Sequence, residues 1–320
     1  MKISDSRAIS GAVVAAVVIL IVVVAGVAAY YLVGFSSTTT SSASHSSTSA
    51  QLLSCVGVAE GNPSFSTLVT AIKDAGLANT LSGTGPFTIF APTNIAFSNL
   101  PSGVLNYLLS NKTALTQVLE YHVVSGDLMA AQVVTHTSLT SLLGSSIPVY
   151  VNGSTVKVGI ATITTTNVPC SNGVIHIIDH VLVPEGIMNI VQTAQYYGFS
   201  TLVTAVQDAG LVTTLSGAGP FTVFAPTNAA FAALPSGTLN SLLANKTALA
   251  NILTYHVVSG EYLASKIVTL SSLMTVEGQS VTISVSMGTV KINSATVIET
   301  NVMCINGVIH VIDEVLLPPS

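Results

Sequence analysis

Residues 65–97, FSTLVTAIKDAGLANTLSGTGPFTIFAPTNIAF, return at 199–231 as FSTLVTAVQDAGLVTTLSGAGPFTVFAPTNAAF, with 26 of 33 positions identical at an offset of 134. The shorter blocks LPSG, NKTAL and YHVVSG recur in the same register, starting at 100, 111 and 121 and again at 234, 245 and 255. A unit of this length is the size of a domain and exceeds the roughly 20–50 residues of a solenoid repeat. The sequence therefore predicts two tandem domains, a first repeat at 52–185 and a second repeat at 186–320.

Each repeat shows helical patterns before its strands begin. Leu68, Val69, Ile72 and Ala75 recur at helical spacing, and Gly76 stands where a glycine ends a helix. The PFTIFA run that follows is typical of a short strand ended by its proline. The Thr-Asn pair after that proline is suited to cap the next short helix.

The last third of each repeat shows strand patterns. Residues 147–158, IPVYVNGSTVKV, carry Asn152-Gly153 between two apolar runs, which is a hairpin signal. The second repeat has Met287-Gly288 in this place, so its turn is less clearly marked. Because helices and strands lie in separate stretches rather than in alternating βαβ units, the sequence predicts an α+β domain on an antiparallel, sandwich-like sheet.

Three motifs occur twice, in the same order and at the same spacing. They are TIFAPTNIAF (88–97) and TVFAPTNAAF (222–231), the Tyr-His pairs at 121–122 and 255–256, and NGVIHIIDHVLVP (172–184) and NGVIHVIDEVLLP (306–318). Together they resemble the fasciclin, or FAS1, domain family, over about 270 of the 320 residues. The resemblance implies two tandem FAS1-like domains, each an antiparallel β-sandwich or wedge with packed helices. Cys170 and Cys304 depart from the family pattern, where a small residue such as alanine is more familiar.

The resemblance also implies a function. Domains of this family are displayed on cell surfaces or in matrix, where they adhere to other proteins or glycans without catalysis. By this analogy the candidate interaction residues are Tyr121, His122, Tyr255 and His256, and weak self-association is one form the adhesion could take. Because His122 and His256 open a strand after a helix, a buried structural role is the alternative for these two residues. The other motif residues are assigned structural roles: Pro92, Thr93, Asn94, Asn172, Gly173, His176, Asp179, Pro226, Thr227, Asn228, Asn306, Gly307, His310 and Asp313.

The repeated histidine of the last motif could serve either catalysis or the interior of the fold. Side chains alternate faces along a strand, so His176 and Asp179 point to opposite faces and form no catalytic pair. Val174, His176 and Ile178 share a face, which favours a buried histidine hydrogen-bonded to backbone or a hydroxyl. A metal ligand and a general base are the weaker interpretations.

Two rival functions stand beside adhesion. The first is a carrier of lipid or another small ligand, which would need a concave apolar pocket of several hundred cubic ångströms. The second and weaker rival is a hydrolase, but the sequence has no G-x-S-x-G motif. No cofactor and no metal site are expected, because each domain offers two repeated histidines without a clear carboxylate partner.

The N-terminal part has the composition of a membrane anchor followed by a stalk. Residues 11–35 contain no charged side chain, and as a helix of roughly 37 Å they could cross a hydrocarbon core of about 30 Å. Lys2 and Arg7 precede them, which places residues 1–10 in the cytoplasm and the domains outside the cell. If the segment is instead a cleaved signal peptide, the chain is secreted. Residues 36–51, rich in serine and threonine, are predicted to form a flexible stalk.

The charge of the chain excludes one class of partner. The net charge is −5, and charged residues make up 7% of the chain without forming a basic cluster. Nucleic acid is therefore not an expected partner. The small number of carboxylates that acid could protonate also suggests tolerance of low pH.

The cysteines and sequons suggest covalent modification. Cys170 and Cys304 are repeat equivalents, whereas Asn189 stands in the place of Cys55. A disulfide between Cys55 and Cys170 would tie the entry segment of the first domain to its last strand on the oxidising side of a membrane. Cys304 would then be a single buried thiol or an intermolecular link. Sequons for N-glycosylation lie at Asn111, Asn152 and Asn245.

Overall fold

The structure is a computed structural model that describes residues 52–235, 237 and 243–319. The predicted cytoplasmic segment, membrane anchor and stalk (1–51) lie outside the described residues. Among the residues it does describe, no helix has both the length and the apolar character that crossing a bilayer requires.

The chain divides into two compact units. Among the described residues, the first unit contains 52–97 together with Thr116–Leu182, and the second contains Ser98–Leu115 together with the described residues from Val183 onward. The boundary expected between residues 185 and 186 stays a prediction.

The described elements of the first repeat begin with helices and end with strands. The helices are α1 (Cys55–Glu60), α2 (Ser66–Ala75), α3 (Ala78–Leu81), α4 (Asn94–Ser98), α5 (Ser102–Ser110), α6 (Lys112–Tyr121) and α7 (Ala130–Val133). The strands are β1 (Phe87–Pro92), β2 (Val123–Ser125), β3 (Ser138–Thr140), β4 (Ser146–Asn152), β5 (Thr155–Val158), β6 (Ala161–Cys170) and β7 (Gly173–Ile178). Gly76 follows α2 in the left-handed conformation, at φ 77°, and its amide closes the helix as predicted.

The described elements of the second repeat follow the same order. The helices are α8 (Ile190–Tyr196), α9 (Ser200–Asp208), α10 (Val212–Leu215), α11 (Asn228–Ala232), α12 (Lys246–Tyr255) and α13 (Ala264–Ile267). The strands are β8 (Phe221–Pro226), β9 (Val257–Ser259), β10 (Ser272–Met274), β11 (Ser280–Ser286), β12 (Thr289–Ile292), β13 (Ala295–Cys304) and β14 (Gly307–Ile312). The hairpin between β11 and β12 forms although its turn lacks Asn-Gly.

Each repeat contains one seven-stranded sheet. The strand order is β2-β1-β7-β6-β5-β4-β3 in the first repeat and β9-β8-β14-β13-β12-β11-β10 in the second. Strand β1 runs parallel to β7, and β8 runs parallel to β14. All other neighbouring strands are antiparallel. The α+β class is confirmed, and the expectation of a purely antiparallel sheet is wrong. The first strand of each repeat pairs with the last one. The chain between them is almost the whole repeat, which is long enough for the crossover that parallel strands require.

The two ends of each sheet meet, which gives a barrel-like shape rather than a sandwich. In the first repeat the Leu142 amide donates to the Val123 carbonyl at 2.7 Å, beside a β-bridge between Val124 and Ser141. In the second repeat the Val276 amide makes the same bond to Val257 at 2.7 Å. These bonds satisfy backbone groups that an open sheet edge would expose.

The interior of each sheet is an apolar core with matched members. In the first repeat it includes Phe90, Ile147, Ile178 and Leu182. In the second repeat the corresponding cluster is built around Phe224, Val281, Ile312 and Leu316. Burying a side chain of this size stabilises the fold by roughly 1.5–3 kcal/mol, so these clusters hold the sheets in the geometry that places the motif residues.

Candidate interaction surface

The Tyr-His pair of the first repeat lies in the interior, at the end of α6. Tyr121 is 9% exposed and His122 is 2% exposed. The Tyr121 hydroxyl donates to the Ser146 carbonyl oxygen at 2.9 Å. His122 Nδ1 lies 2.7 Å from the Val118 carbonyl oxygen, and Nε2 accepts from the Leu182 amide at 2.9 Å. The ring is therefore neutral, with its proton on Nδ1.

The pair of the second repeat repeats this arrangement. Tyr255 and His256 are buried, His256 Nδ1 lies 2.8 Å from the Ile252 carbonyl oxygen, and Nε2 accepts from the Leu316 amide at 2.9 Å. The expectation that the two Tyr-His pairs contact a partner is corrected here, because enclosed side chains cannot do so while the domains are folded. Each Tyr-His pair lies at the C-terminal end of a helix, α6 or α12, and the buried face of that helix directs the two side chains into the interior.

Burial fixes the protonation state of these histidines. It lowers the pKa of both His122 and His256 to about 4, and the hydrogen bonds to backbone carbonyl groups oppose this only in part. A charged imidazole would lose its hydration in the interior. Both rings are consequently neutral framework groups at neutral pH.

The histidine of the last motif is also an interior group. His176 Nε2 lies 2.8 Å from the Leu128 carbonyl oxygen, and Nδ1 accepts from the Asn167 amide at 3.3 Å. This ring is the opposite tautomer, protonated on Nε2. His310 makes the equivalent bonds in the second repeat. Burial is the main cause of the lowered pKa of both rings.

The asparagine that opens the last motif fastens three segments together. Asn172 Oδ1 accepts from the Cys55 amide at 2.9 Å, and Nδ2 donates to the carbonyl oxygens of Leu81 at 2.9 Å and Gly83 at 2.8 Å. Asn306 makes the same three kinds of bond in the second repeat. The side-chain oxygen and both side-chain N–H groups of Asn172 and Asn306 bond inside the fold, so these residues have a structural role.

The Thr-Asn pair after β1 has two separate structural uses. Thr93 Oγ1 accepts from the Ala96 amide at 3.3 Å and caps α4, as predicted. Asn94 Oδ1 instead accepts from the Thr67 amide at 3.0 Å, and its Nδ2 donates to the Pro63 carbonyl oxygen at 2.9 Å. Thr227 and Asn228 do the same in the second repeat.

The aspartate of the last motif lies nearer the surface and does not face the buried histidine. Asp179 Oδ1 accepts from the Thr162 amide at 2.6 Å and pairs with His180 Nδ1 at 2.8 Å. Burial acts to raise the pKa of Asp179, but the bonds from His180 and Thr162 outweigh it, so the pKa is lowered. Asp313 accepts from the Thr296 amide at 2.6 Å.

The structural role of two buried threonines was not predicted from the sequence. Thr88, fully buried in β1, donates from Oγ1 to the Gly126 carbonyl oxygen at 2.7 Å and accepts from the Leu128 amide at 2.8 Å. Thr222 has the same role in the second repeat. The available signal was a hydroxyl repeated at the same position of an otherwise apolar strand.

The three sequons differ in their surroundings. Asn111 Oδ1 accepts from the Ala114 amide and Asn245 Oδ1 from the Ala248 amide, each at 3.1 Å, so both side chains cap helices. Asn152 is exposed at the end of β4, next to the hairpin turn. Whether any of them carries a glycan stays a prediction.

Exposed apolar side chains lie at the tip of the β4–β5 hairpin. The first hairpin tip consists of Tyr150, Val151 and Val156, and the first two of these are exposed. Val151 lies opposite Val156, and Tyr150 lies opposite Lys157 on the other face. The turn uses Gly153 at φ 59°.

The second hairpin tip, Val285, Met287 and Val290, is more apolar. Val285 lies opposite Val290, and Met287 in the turn is 103% exposed. Met287 has φ 49° and Gly288 has φ 79°, so a non-glycine residue occupies the left-handed region. An exposed apolar side chain in this conformation costs about 1–2 kcal/mol and gains no burial in return. Such strain is a pointer to a functional contact.

A small apolar cavity is present in the second repeat. It measures about 20 Å³, and its wall includes Ile190, Val206, Val223, Leu253 and His256. That volume holds about one water molecule, well short of the several hundred cubic ångströms of a small-molecule site. The cavity therefore does not favour the carrier function.

Filling the cavity is expected to stabilise the second repeat. The first repeat has Ile72 and Ile89 where the second has Val206 and Val223. Val206→Ile adds one methylene group next to the cavity and should raise the free energy of unfolding by about 0.8 kcal/mol, measured in urea. The matched variant Ile72→Val should lower it by about 1 kcal/mol. A loss of stability in Val206→Ile would show that the cavity cannot accept the group.

The described residues offer no cluster of three or more histidine, cysteine or acidic side chains that could hold a metal ion. The Tyr-His pairs and the histidines of the last motif thus lie in the interior of each repeat, whereas Asn228 and Asp313 are exposed. Apolar side chains are also exposed at Ile95, Met274 and Ile305, but the two hairpin tips combine several of them with a tight turn, which makes the tips the candidates for contact.

The fold and the repeated motifs identify the family to which the chain belongs. Residues 63–184 and 197–318 match the fasciclin domain, so the chain belongs to the fasciclin domain family, with two tandem copies. Transforming growth factor-beta-induced protein ig-h3 of Sus scrofa is 38% identical over 247 residues, covering 75% of this chain and 36% of that protein. Protein sll1483 of Synechocystis is 56% identical over 123 residues, covering 38% of this chain and 68% of that protein.

The chain is also similar to periostin and to a solved pair of FAS1 domains. Periostin of Homo sapiens is 32% identical over 251 residues, covering 76% of this chain and 30% of periostin. The chain thus spans about a third of the length of ig-h3 and periostin. A solved FAS1 domain pair from the insect cell adhesion molecule fasciclin I is 23% identical, with a TM-score of 0.41 over 81% of this chain and 98% of that one.

Proposed function

We propose that the chain is a surface adhesion protein that contacts other surface or matrix proteins or glycans through the two hairpin tips. The observation that carries this proposal is the fully exposed Met287 in a left-handed turn, next to Val285. Membership of the fasciclin domain family supports an adhesive role, as the resemblance of the motifs implies. The burial of both Tyr-His pairs directs attention to side chains that do reach the solvent.

The attachment of the chain to a membrane is part of the proposal. Residues 11–35 are long and free of charge, which supports a single-pass anchor with the domains outside the cell, or a cleaved signal in a secreted form. Two linked domains raise the effective concentration of each other's contacts, so weak individual contacts suffice for adhesion. Weak self-association through the tips is one form of it.

Removing the side chain at the second tip should weaken adhesion without harming the fold. Met287→Gly relieves the left-handed strain, so stability should hold or rise, while clumping of beads coated with the full chain should fall roughly tenfold. Attachment of the beads to a matrix-coated surface is scored in parallel. Ile298→Thr, which changes an exposed apolar residue on β13, is the matched control and should adhere normally.

Two outcomes would count against the proposal. Unchanged adhesion in folded Met287→Gly would remove the second hairpin tip from the contact surface. Absence of both clumping and matrix attachment in the unaltered chain would contradict an adhesive role altogether.

A further inference from the structure

Two of the three buried cysteines lie together in the first repeat. Cys55 is the first residue of α1, and Cys170 is the last residue of β6, 115 positions further along the chain. Each thiol shifts the pKa of the other, so the two side chains lie near one another, and all three cysteines are present as thiols in the structure. Proximity of two side chains so distant in sequence needs a specific arrangement of the backbone around them.

The backbone supplies that arrangement on both sides of the pair. The Ser171 amide donates to the Leu53 carbonyl oxygen at 2.8 Å, and the Cys55 amide donates to Asn172 Oδ1 at 2.9 Å. These bonds join Leu53 and Cys55 itself to the two residues directly after Cys170. The backbone on both sides of the pair is thus fixed, so the proximity of Cys55 and Cys170 does not depend on their side chains alone.

The second repeat shows what the same frame does without a cysteine pair. The Ile190 amide donates to Asn306 Oδ1 at 3.0 Å, so Ile190 is the structural counterpart of Cys55, one position later than the sequence offset indicated for Asn189. Asn189 instead caps α8. Cys304 Sγ lies 3.3 Å from Thr193 Oγ1, and burial raises the pKa of Cys304 to about 11.

We propose that Cys55 and Cys170 form a disulfide that fastens the N-terminal end of the first domain to the end of β6. The oxidant is a low-molecular-weight disulfide such as glutathione disulfide. The Cys55 thiolate attacks one sulfur of the oxidant and displaces a thiolate, and Cys170 then attacks the mixed disulfide at the Cys55 sulfur and displaces the second. The two thiols lose two protons, and their two electrons reduce the oxidant to two thiols.

The chemistry of the pair supports this order of attack. The hydrogen bond with Cys170 lowers the pKa of Cys55, whereas the same bond raises the pKa of Cys170. Cys55 is therefore the better attacking thiolate and Cys170 the resolving thiol. Because Cys55 and Cys170 are both buried in the folded chain, the bond forms late in folding, when the two thiols are already neighbours and the oxidant still has access to them.

The bond would matter most if the chain is tethered at its N-terminus, a consequence that rests on the proposed membrane attachment. Tension entering at residue 52 would then reach α1 first, which is a helix of six residues held partly by the two bonds described above. A disulfide passes that tension directly to β6, which pairs with β5 and β7. The first domain would resist unravelling from its tethered end.

The test uses the full chain refolded from denaturant in a glutathione redox buffer. Digestion without reduction, followed by mass spectrometry, should find one linked peptide pair containing Cys55 and Cys170, with Cys304 as a free thiol. One thermal unfolding midpoint should rise by roughly 10 °C relative to the dithiothreitol-treated chain. Cys170→Ala should abolish this shift, and the matched control Cys304→Ala should keep both the link and the shift.

The result for the unaltered chain decides the proposal even if the Cys170 variant fails to fold. Three free thiols after refolding, or any link that includes Cys304, would overturn it. The proposed adhesive function is scored separately by bead attachment, so failure of one does not imply failure of the other.

Discussion

Replacing Gly173 with alanine is expected to unfold the first repeat. Gly173 has φ 148°, which L-residues rarely adopt, and a Cβ atom there would overlap the backbone nitrogen and carbonyl oxygen of Phe87. The overlap is with backbone of β1, the parallel partner of β7, so no side chain can move aside to relieve it. We expect a loss of more than about 4 kcal/mol, a large part of a typical domain stability. Gly307→Ala should act in the same way on the second repeat, against Phe221.

Urea unfolding followed by circular dichroism measures this loss, with soluble yield as a second readout. Gly144→Ala is the matched control, because Gly144 has φ 86° but no atom lies within 4 Å of the position that a Cβ would take there. The control loses only the roughly 1–2 kcal/mol of left-handed strain. Equal stability of Gly173→Ala and Gly144→Ala would contradict the close approach of β1 and β7.

Mild acid is expected to destabilise both repeats, although the small number of charged residues suggests acid tolerance. The pKa of His122 and of His256 is about 4 in the folded chain, against 6.5 for an unperturbed histidine. The unfolded chain therefore binds protons at a higher pH than the folded chain does. The resulting stability is fully present above about pH 6.5 and is lost as the pH falls from there through about 4.

The expected size follows from the same two values. Each histidine contributes about 2 kcal/mol of lost stability between pH 7 and pH 5, and about 3 kcal/mol by pH 4. His176 and His310 act in the same direction, since burial lowers the pKa of each. Asp179 adds to the loss at still lower pH, because its pKa is lowered from 3.8.

Urea titrations at pH 7, 6 and 5 measure this effect on the full chain. His122→Gln should flatten the pH dependence of the first repeat, even though it lowers stability at pH 7. Ile147→Val, which lowers the stability of the same repeat but removes no histidine, should leave the pH dependence unchanged. A free energy of unfolding that stays constant from pH 7 to pH 5 would contradict neutral burial of the histidines.

Much of the fold follows from local patterns in the sequence. The repeat offset indicated two equivalent domains, Gly76 ended α2, and Thr93 capped α4 as its position after a strand-ending proline indicated. Alternation along β7 also separated His176 from Asp179 correctly, because side-chain direction in a strand depends only on position. Such features need no knowledge of distant partners.

The errors arose where distant segments meet. Pairing of β1 with β7 is set by contacts across almost the whole repeat, which periodicity within one strand does not encode. The burial of Tyr121 depends on a bond to Ser146, 25 positions away. The role of Thr88 likewise depends on Gly126 and Leu128, in a loop that carries no regular pattern.

The central claim is that the repeated histidines of the motifs belong to the interior, which leaves contact with partners to the proposed hairpin tips. Nitrogen-15 NMR of the full chain, labelled at histidine, tests it most directly. We expect fixed tautomers at neutral pH, with the proton on Nδ1 in His122 and His256 and on Nε2 in His176 and His310, and the first two rings still neutral at about pH 5.5. Averaged tautomer signals that titrate near pH 6.5 at these four positions would contradict it.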